Sequence, residues 1–343
     1  MKENKPNAEK SIVDIALALG VSAATVSRAL NDNPRISEAT RKKVKEKAKE
    51  MGYRHNSMAS SLRNRRSNII GLIVPRVSMY FHSVFITALQ NKLQPEGYNL
   101  IVCQSNDSVA VEQQLASTLY SSRVDALVVS LALYTEEYHH FDGFTNHGTP
   151  LLFYDRVPTK SYAAYIVKGD DYRGGLIAGD HLIEMECKKI AYISGPLSCS
   201  IYKERTEGFT HALAKAGLHL NTDWCFYHEL TAENAWNSLR QLFSGKEKPD
   251  AIFASNDTTA VAAVQFSREQ GIKIPQELKI MGYSNDPRSS IISPAITTID
   301  QHPTEMAHRV AHKLLQVLKD KRQAQEYDAQ EIVPVTLIRR MTT

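Results

Sequence analysis

No apolar run in this 343-residue chain approaches the roughly 20 residues needed to cross a bilayer. Met1 to Lys10 is polar and Lys-rich, without the apolar stretch of a secretory leader. A cytoplasmic location is therefore the expectation. Cysteine is scarce: Cys103, Cys187, Cys199 and Cys225 lie far apart, with no C-x-x-C pair and no histidines at zinc-ligand spacing. That excludes a disulfide framework and a zinc ribbon, and the four read as reduced core thiols. Missing too are the nucleophile elbow, the phosphate loop, the dinucleotide glycine fingerprint and the zinc-protease helix. His308 and His312 share a predicted helix face, but no Glu follows His308 and no third ligand is evident, so both read as solvated or core histidines. Gly174-Gly175 with Gly179 lacks fingerprint spacing and suits close helix packing. No catalytic residue, metal or cofactor is expected.

What is present is ordinary globular composition, 43% hydrophobic and 23% charged, in a length that suits two or three folding units. The net charge of +4 hides a split. Residues 1 to 68 carry 15 Lys or Arg against 7 Asp or Glu, and the remainder 26 against 30. A small basic module on a mildly acidic body fits a polyanion-binding head, although a solvated basic helix has the same charge.

From Ser11 to Tyr53 the pattern is helical. Ser11 precedes Ile12, Ile15, Ala16 and Leu19, and Gly20 stops the run; Ser22 opens a second run through Thr25, Val26, Ala29 and Leu30. After Asn31-Asp32-Asn33-Pro34, Ser37 and Thr40 open a third helix ending at Gly52. The first two, joined by Gly20-Val21-Ser22, form a helix-turn-helix candidate, and the same pattern fits an ordinary helical hairpin. In the second, Val26 and Leu30 can face inward while Ala23, Ala24, Ser27 and Arg28 face a groove. His55 to Asn68 reads equally well as a linker or a two-turn helix. Beyond Asn68, apolar strand-like runs (Ile69 to Val74, Leu100 to Cys103, Ala126 to Ser130, Leu151 to Tyr154, Ile190 to Ser194, Ala251 to Ala254, Leu278 to Gly282) mostly alternate with helical patterns. Such alternation indicates parallel sheets covered on both faces, and the length suits two doubly wound lobes with a ligand cleft at the carboxyl ends of their strands.

Val21-Ser22-Ala23-Ala24-Thr25-Val26-Ser27-Arg28-Ala29-Leu30-Asn31, then Ile36 to Arg41, then Gly52 to Leu62, closely resembles the head of the lactose-repressor (LacI/GalR) family. The resemblance continues through Ile70 to Pro75, Arg123 to Leu127, Ser255-Asn256-Asp257, Ile274-Pro275 and Ser293 to Ile299. It implies an all-α helix-turn-helix head (1–54), a hinge helix or linker (55–68) and a periplasmic-binding-protein-like α/β body (69–343). The lobes are expected at about 69–167 with 299–326, and about 168–298 with 327–343. It further implies a homodimer on pseudo-palindromic double-stranded operator DNA whose affinity is set by a small-molecule effector, usually a sugar or a purine. The rivals from other classes are a sugar-binding module without a DNA role and an enzyme acting on a nucleotide or sugar.

Position by position, the resemblance makes Ala23, Ala24 and Arg28 the major-groove readers, with Ser11, Ser22, Thr25, Ser27, Asn31 and Ser37 on phosphates. Arg28 can form a bidentate pair with guanine, whereas the alanines offer only apolar contact. Asn56, Met58, Ala59 and Leu62 match the hinge helix, with Leu62 as a minor-groove wedge whose unstacking cost is offset by further contacts. The bland reading of that stretch is a tether. In the body, Tyr80 and Phe81 match a ligand-stacking pair, and Asp155, Arg156, Arg205, Asn256 and Asp257 match effector contacts. Their alternatives are aromatic core filling, surface pairing for Arg205, and helix capping for Asn256 or Asp257. Ser284 stands where many sugar-binding members carry Asp, while Cys199 and Ile201 stand where the purine-responsive branch has polar contacts. A sugar or sugar derivative is the expected effector, and no heptad tail for tetramerisation is seen.

Overall fold

The computed structural model describes residues 10–53, 66–319 and 330–343. The chain divides into two compact units, Met1–Ser67 and Asn68–Thr343. In the first, helix α1 (Ile12–Leu19) starts in a capping box: Asp14 N donates to Ser11 Oγ at 3.3 Å and Ser11 N to Asp14 Oδ2 at 2.8 Å. Two donors that a helix start leaves orphaned are thereby satisfied. Gly20 ends α1 at φ 64°, a left-handed turn that glycine adopts without strain. Helices α2 (Ala23–Leu30) and α3 (Glu38–Glu50) are capped by the hydroxyls of Ser22 and Ser37. The axes of α1 and α2 turn through 108°, a helix-turn-helix angle. Ile15, Val26, Ala29 and Val44 form the buried centre of this unit. Ala29 rather than Leu30 joins Val26 inside; Leu30 is half-buried at the margin.

The second unit runs β1 (Ile69–Val74), α4 (Tyr80–Leu93), β2 (Asn99–Gln104), α5 (Val109–Ser121), β3 (Ala126–Val129), α6 (Asp142–Asn146), β4 (Leu151–Tyr154) and β5 (Tyr165–Gly169). It continues with α7 (Asp171–Glu184), β6 (Ile190–Ser194), α8 (Ser200–Lys215), β7 (Cys225–Tyr227), α9 (Ala232–Ser244), β8 (Ala251–Ala254), α10 (Asp257–Glu269), β9 (Lys279–Met281) and α11 (Pro287–Ile291). Last come β10 (Thr298–Asp300), α12 (Pro303–Lys319), β11 (Gln330–Val333) and β12 (Thr336–Ile338). Strands β2-β1-β3-β4-β5-β11 form one parallel sheet and β7-β6-β8-β9 another, while β10 and β12 pair as an antiparallel ribbon. Helices cover both faces of each sheet, so the central strands are buried on both sides and carry continuous apolar runs. Among the described residues no single helix is long and apolar enough to cross a membrane.

The expected lobe boundaries need correction. Lys168 and Gly169 still belong to β5 of the first lobe, and the last crossing comes after Val333 rather than near residue 326, because Gln330–Val333 pairs in parallel with β5 as an edge strand. Only Val333 of that strand is fully buried, so it shows no apolar run. The expected start of the returning segment at residue 299 also shifts, because Ile299 of β10 packs in the second-lobe core, so the chain passes between lobes three times: after β5, after β10 and after β11.

Gly175, noted on sequence, and Gly208, which was not, allow α7 and α8 to touch backbone to backbone. A Cβ on Gly175 would stand 2.1 Å from Arg205 O, and one on Gly208 1.9 Å from Tyr172 O. This approach carries Asp171, at the start of α7, to Arg205 on α8.

Candidate DNA-reading face and effector cleft

On α2, Ala24 and Arg28 are exposed, one helical turn apart on the face opposite Val26. Ala23 differs from expectation: it is half-buried and packs against the head core, which leaves less of it for a groove. Ser11, Ser22 and Ser37 spend their hydroxyls as helix caps, Thr25 Oγ1 bonds Ser22 Oγ at 2.9 Å, and Asn31 Nδ2 donates to Ser27 O at 2.8 Å. Ser11, Ser22 and Ser37 frame helix starts, which suit phosphate, whereas Ser27 lies within α2 and Asn31 caps its carboxyl end. Asn56, Met58, Ala59 and Leu62 lie outside the described residues.

Between the lobes, at the carboxyl ends of the strands, lies a cavity of about 30 Å³. Phe81, Asp155, Arg156, Arg205, Asn256 and Ser284 line it, so most of the body residues picked from sequence converge there. Arg205 is held on three sides: Nε donates to Asp171 Oδ1 at 2.7 Å, Nη1 to Ser255 O at 2.9 Å, and the guanidinium lies 3.7 Å from the Tyr283 ring centroid. Its pairing is buried, not on the surface. Nη2 keeps no partner among the described residues, nor does Arg156 Nε, and both are buried. A buried donor without an acceptor is costly, and in a cleft it marks a place for a ligand oxygen. Asp155 sits at φ 57°, in the left-handed region that Asp tolerates better than most residues, and among the described residues its carboxylate accepts only from Ser130 Oγ, at 3.5 Å. Burial pushes its carboxyl up to about 6, against the pull of Arg156. The cavity thus offers a spare carboxylate facing spare guanidinium donors.

Two expected contacts do not reach it. Asp257 is buried beneath, accepting from Thr298 Oγ1 and from Asp286 N, both at 2.7 Å. Its carboxylate ties α10 to the segment before α11 and to β10. Tyr80 is half-buried at the start of α4 but does not line the cavity. Asn256 does both jobs weighed for it: it lines the cleft, and its Oδ1 caps α10 by accepting from Thr259 N at 2.8 Å. Ser284 donates to Gln301 Oε1 at 2.9 Å, leaving the Gln301 amide N–H groups for the cavity.

Ile201, weighed on sequence at a purine-contact position, also lines the cavity, and residues missed on sequence complete the wall: Met79, His82, Tyr202, Ser255 and Gln301. His82 is buried and held near 3 by that burial and by Arg156, hence neutral. Its Nδ1 lies 3.0 Å from Tyr154 Oη, whose proton has no other acceptor among the described residues. Tyr154 therefore donates, and His82 carries its own proton on Nε2. Position was the only signal for His82, directly after Tyr80-Phe81.

Comparison with known proteins follows the same division. The model of bacterial regulatory proteins of the lacI family matches residues 11–56, and that of the periplasmic binding protein-like domain matches 179–343. The HTH-type transcriptional repressor PurR of Aliivibrio salmonicida (strain LFI1238) is 30% identical over 311 residues, 91% of this chain and 93% of that protein. The chain belongs to the LacI family. This LacI-family protein is a DNA-binding transcriptional repressor with an effector-binding domain, in a family of regulators rather than enzymes. The PurR repressor of Pasteurella multocida (strain Pm70) is 29% identical, spanning 96% of this chain and 98% of that one. Among solved structures, the Lac repressor dimer bound to operator and the anti-inducer ONPF superposes with TM-score 0.85 at 23% identity, covering 98% and 99% of the two chains. The transcriptional regulator CelR–cellobiose complex gives 0.73 at 23%, covering 98% and 100%. Both share the fold of this repressor.

Proposed function

We propose that this repressor binds a pseudo-palindromic operator as a homodimer and that a sugar or sugar derivative between its lobes changes its operator affinity, controlling genes of carbohydrate uptake or use. The observation that carries the effector reading is that the Asp155 carboxylate and the Nη2 of Arg205, which has no partner among the described residues, line one cavity beside Phe81. A sugar hydroxyl donates and accepts, so it satisfies a carboxylate and a guanidinium together, while an aromatic ring suits a sugar's C–H face. Cys199 and Ile201 pack into an apolar cluster and offer no polar partner to a purine ring. A purine is the second reading, favoured by the likeness to repressors named PurR. Exposed Ile101 and Val102 on edge strand β2, with Ile291 on α11, support a twofold partner. In the head, exposed Arg28 reads a guanine and Leu62 wedges the minor groove. The effector acts by linkage, shifting the first lobes and with them the hinge segments.

Two experiments test this. Selection of duplexes from a random library at fixed salt with full-length protein recovers a palindrome with a flexible pyrimidine–purine step at its centre; a site without twofold symmetry refutes the dimeric head. Titration calorimetry with D-ribose, cellobiose, hypoxanthine and guanine then separates the effector classes. Heat with a base and none with either sugar overturns the sugar reading.

A further inference from the structure

The groups around the interlobe cavity divide unevenly into donors and acceptors. Arg205 Nη2 and Arg156 Nε are buried donors without a partner among the described residues. Gln301, 4% exposed, accepts the Ser284 hydroxyl at Oε1 and so keeps its Nε2 protons for the cavity. His82 lines the same wall with its proton on Nε2, away from Tyr154. Asn256 commits Oδ1 to Thr259 N and Nδ2 to Leu230 O. Against these donors stands the Asp155 carboxylate, which accepts only from Ser130 Oγ among the described residues. A sugar hydroxyl that accepts a hydrogen bond still has a proton of its own to place, whereas a carbonyl oxygen accepts twice and carries none.

Charge and packing narrow the ligand further. Arg156 is paired with Asp107, and Arg205 with Asp171 at 2.7 Å, so Asp155 is a carboxylate beyond those that the two guanidiniums balance. Burial pushes it up to about 6 even with both arginines pulling it down. A sugar acid would add a negative charge with no cation to match it, and a protonated amino sugar would leave the guanidinium N–H groups without an acceptor. Ile201, 5% exposed, lines the cavity and packs with Leu133, Cys199 and Tyr202 in a cluster drawn from both lobes. A hydroxyl against that wall loses its water without compensation, and a methyl group gains by burial.

We propose, on the reading of the cleft as a sugar site, that the effector is a neutral acetamido sugar. Its carbonyl oxygen accepts from the guanidinium and amide donors, its N–H donates to Asp155, and its methyl packs on Ile201. At about 30 Å³ the cavity is smaller than a sugar, so the lobes stand further apart around a bound one, and the groups on the two walls select it.

Full-length protein is titrated calorimetrically with N-acetyl-D-glucosamine and D-glucose, N-acetyl-D-galactosamine and D-galactose, N-acetyl-D-mannosamine and D-mannose, and with D-glucosamine, D-glucuronate and hypoxanthine. One acetamido sugar is expected to bind at least about tenfold more tightly than its parent hexose, the worth of one buried hydrogen bond. Gln301→Glu keeps an acceptor for Ser284 but removes the donor, and weakens that sugar about tenfold. If Gln301→Glu melts early, Ile201→Ser reads the methyl contact in its place, with a loss of about fourfold. The proposal is overturned if a hexose, D-glucosamine or D-glucuronate binds as tightly as the acetamido sugars, if no acetamido sugar gives heat, or if both substitutions leave its affinity unchanged. The sugar reading itself survives those results and falls only if hypoxanthine gives heat and no sugar does.

Discussion

Removing Asp171 from beneath the cleft tests whether Arg205 is held by charge or merely by packing. Asp171 and Arg205 are 1% and 2% exposed, their contact is 2.7 Å, and among the described residues the only other hydrogen bond to that carboxylate comes from Tyr283 Oη at 3.1 Å. Asp171→Ala leaves a buried guanidinium with a single carbonyl acceptor, Ser255 O. Breaking one side of a buried ion pair costs about 3 to 5 kcal/mol, mostly as desolvation of the abandoned charge. Arg205→Ala abandons Asp171 and belongs in the same range. The double variant abandons neither charge, so its cost falls short of the sum of the singles by about 3 kcal/mol. Urea unfolding followed by tryptophan fluorescence suits the question, because both tryptophans, Trp224 and Trp236, belong to the lobe that contains the pair. Additive single losses, or single losses below about 1 kcal/mol, would refute the argument.

Asp155→Asn keeps the shape and tolerates the left-handed backbone. The parental carboxyl titrates at about 6 when folded and at about 3.9 when unfolded. Between these values the folded state holds the extra proton, so stability falls as pH rises from about 4 to about 6. The substitution removes about 3 kcal/mol of that fall, and unfolding curves that retain the parental slope contradict the assignment. Asp257, also raised to about 6 by burial, keeps a second slope in the same window. In the head, Ser11→Ala dismantles the capping box and lowers helix-unit stability by about 1 kcal/mol, measured by the melting of the 222 nm circular dichroism signal. Arg28→Ala should weaken binding to the selected operator by about 1 to 3 kcal/mol relative to random DNA; equal losses on both in fluorescence anisotropy would place Arg28 on phosphate.

Much of this was legible from residues because local signals and tertiary packing agree. Serine before an apolar period marks α1 and α2, and Ser11 and Ser22 cap them. Unbroken apolar runs such as Ala126 to Val129 mark central strands, since both faces of those strands are covered. Five strands escaped: β7 (Cys225–Tyr227), β10, β11 and β12 are short or marginal, whereas β5 (Tyr165–Gly169) is buried between β4 and β11 and its apolar run Tyr165-Ile166-Val167 stops at Lys168. Gln330–Val333 is mostly solvent-facing, and Thr298–Asp300 and Thr336–Ile338 are three residues each, too short for a period. In the cleft, Asp155 and Arg205 were found by type and motif, but whether Asp257 faces ligand or lies beneath it turns on one helical position. A carboxylate that closes Thr298 and Asp286 looks, in sequence, like one that awaits a hydroxyl.

The three passages of the chain between lobes also set an order of events at the ribosome. The first lobe's sheet is begun by β1 yet closed only by β11, and α12 supplies Met306, Val310 and Leu314 to its core. All of α7 to α11, hence the strands of the other sheet, emerges in between. At about 5 to 20 residues per second, the free edge of β5 waits roughly ten to thirty seconds for its neighbour. The sheet begun first is therefore closed only after the other sheet has all four of its strands, and it waits with an open parallel edge until β11 arrives, before β12 returns to the second lobe.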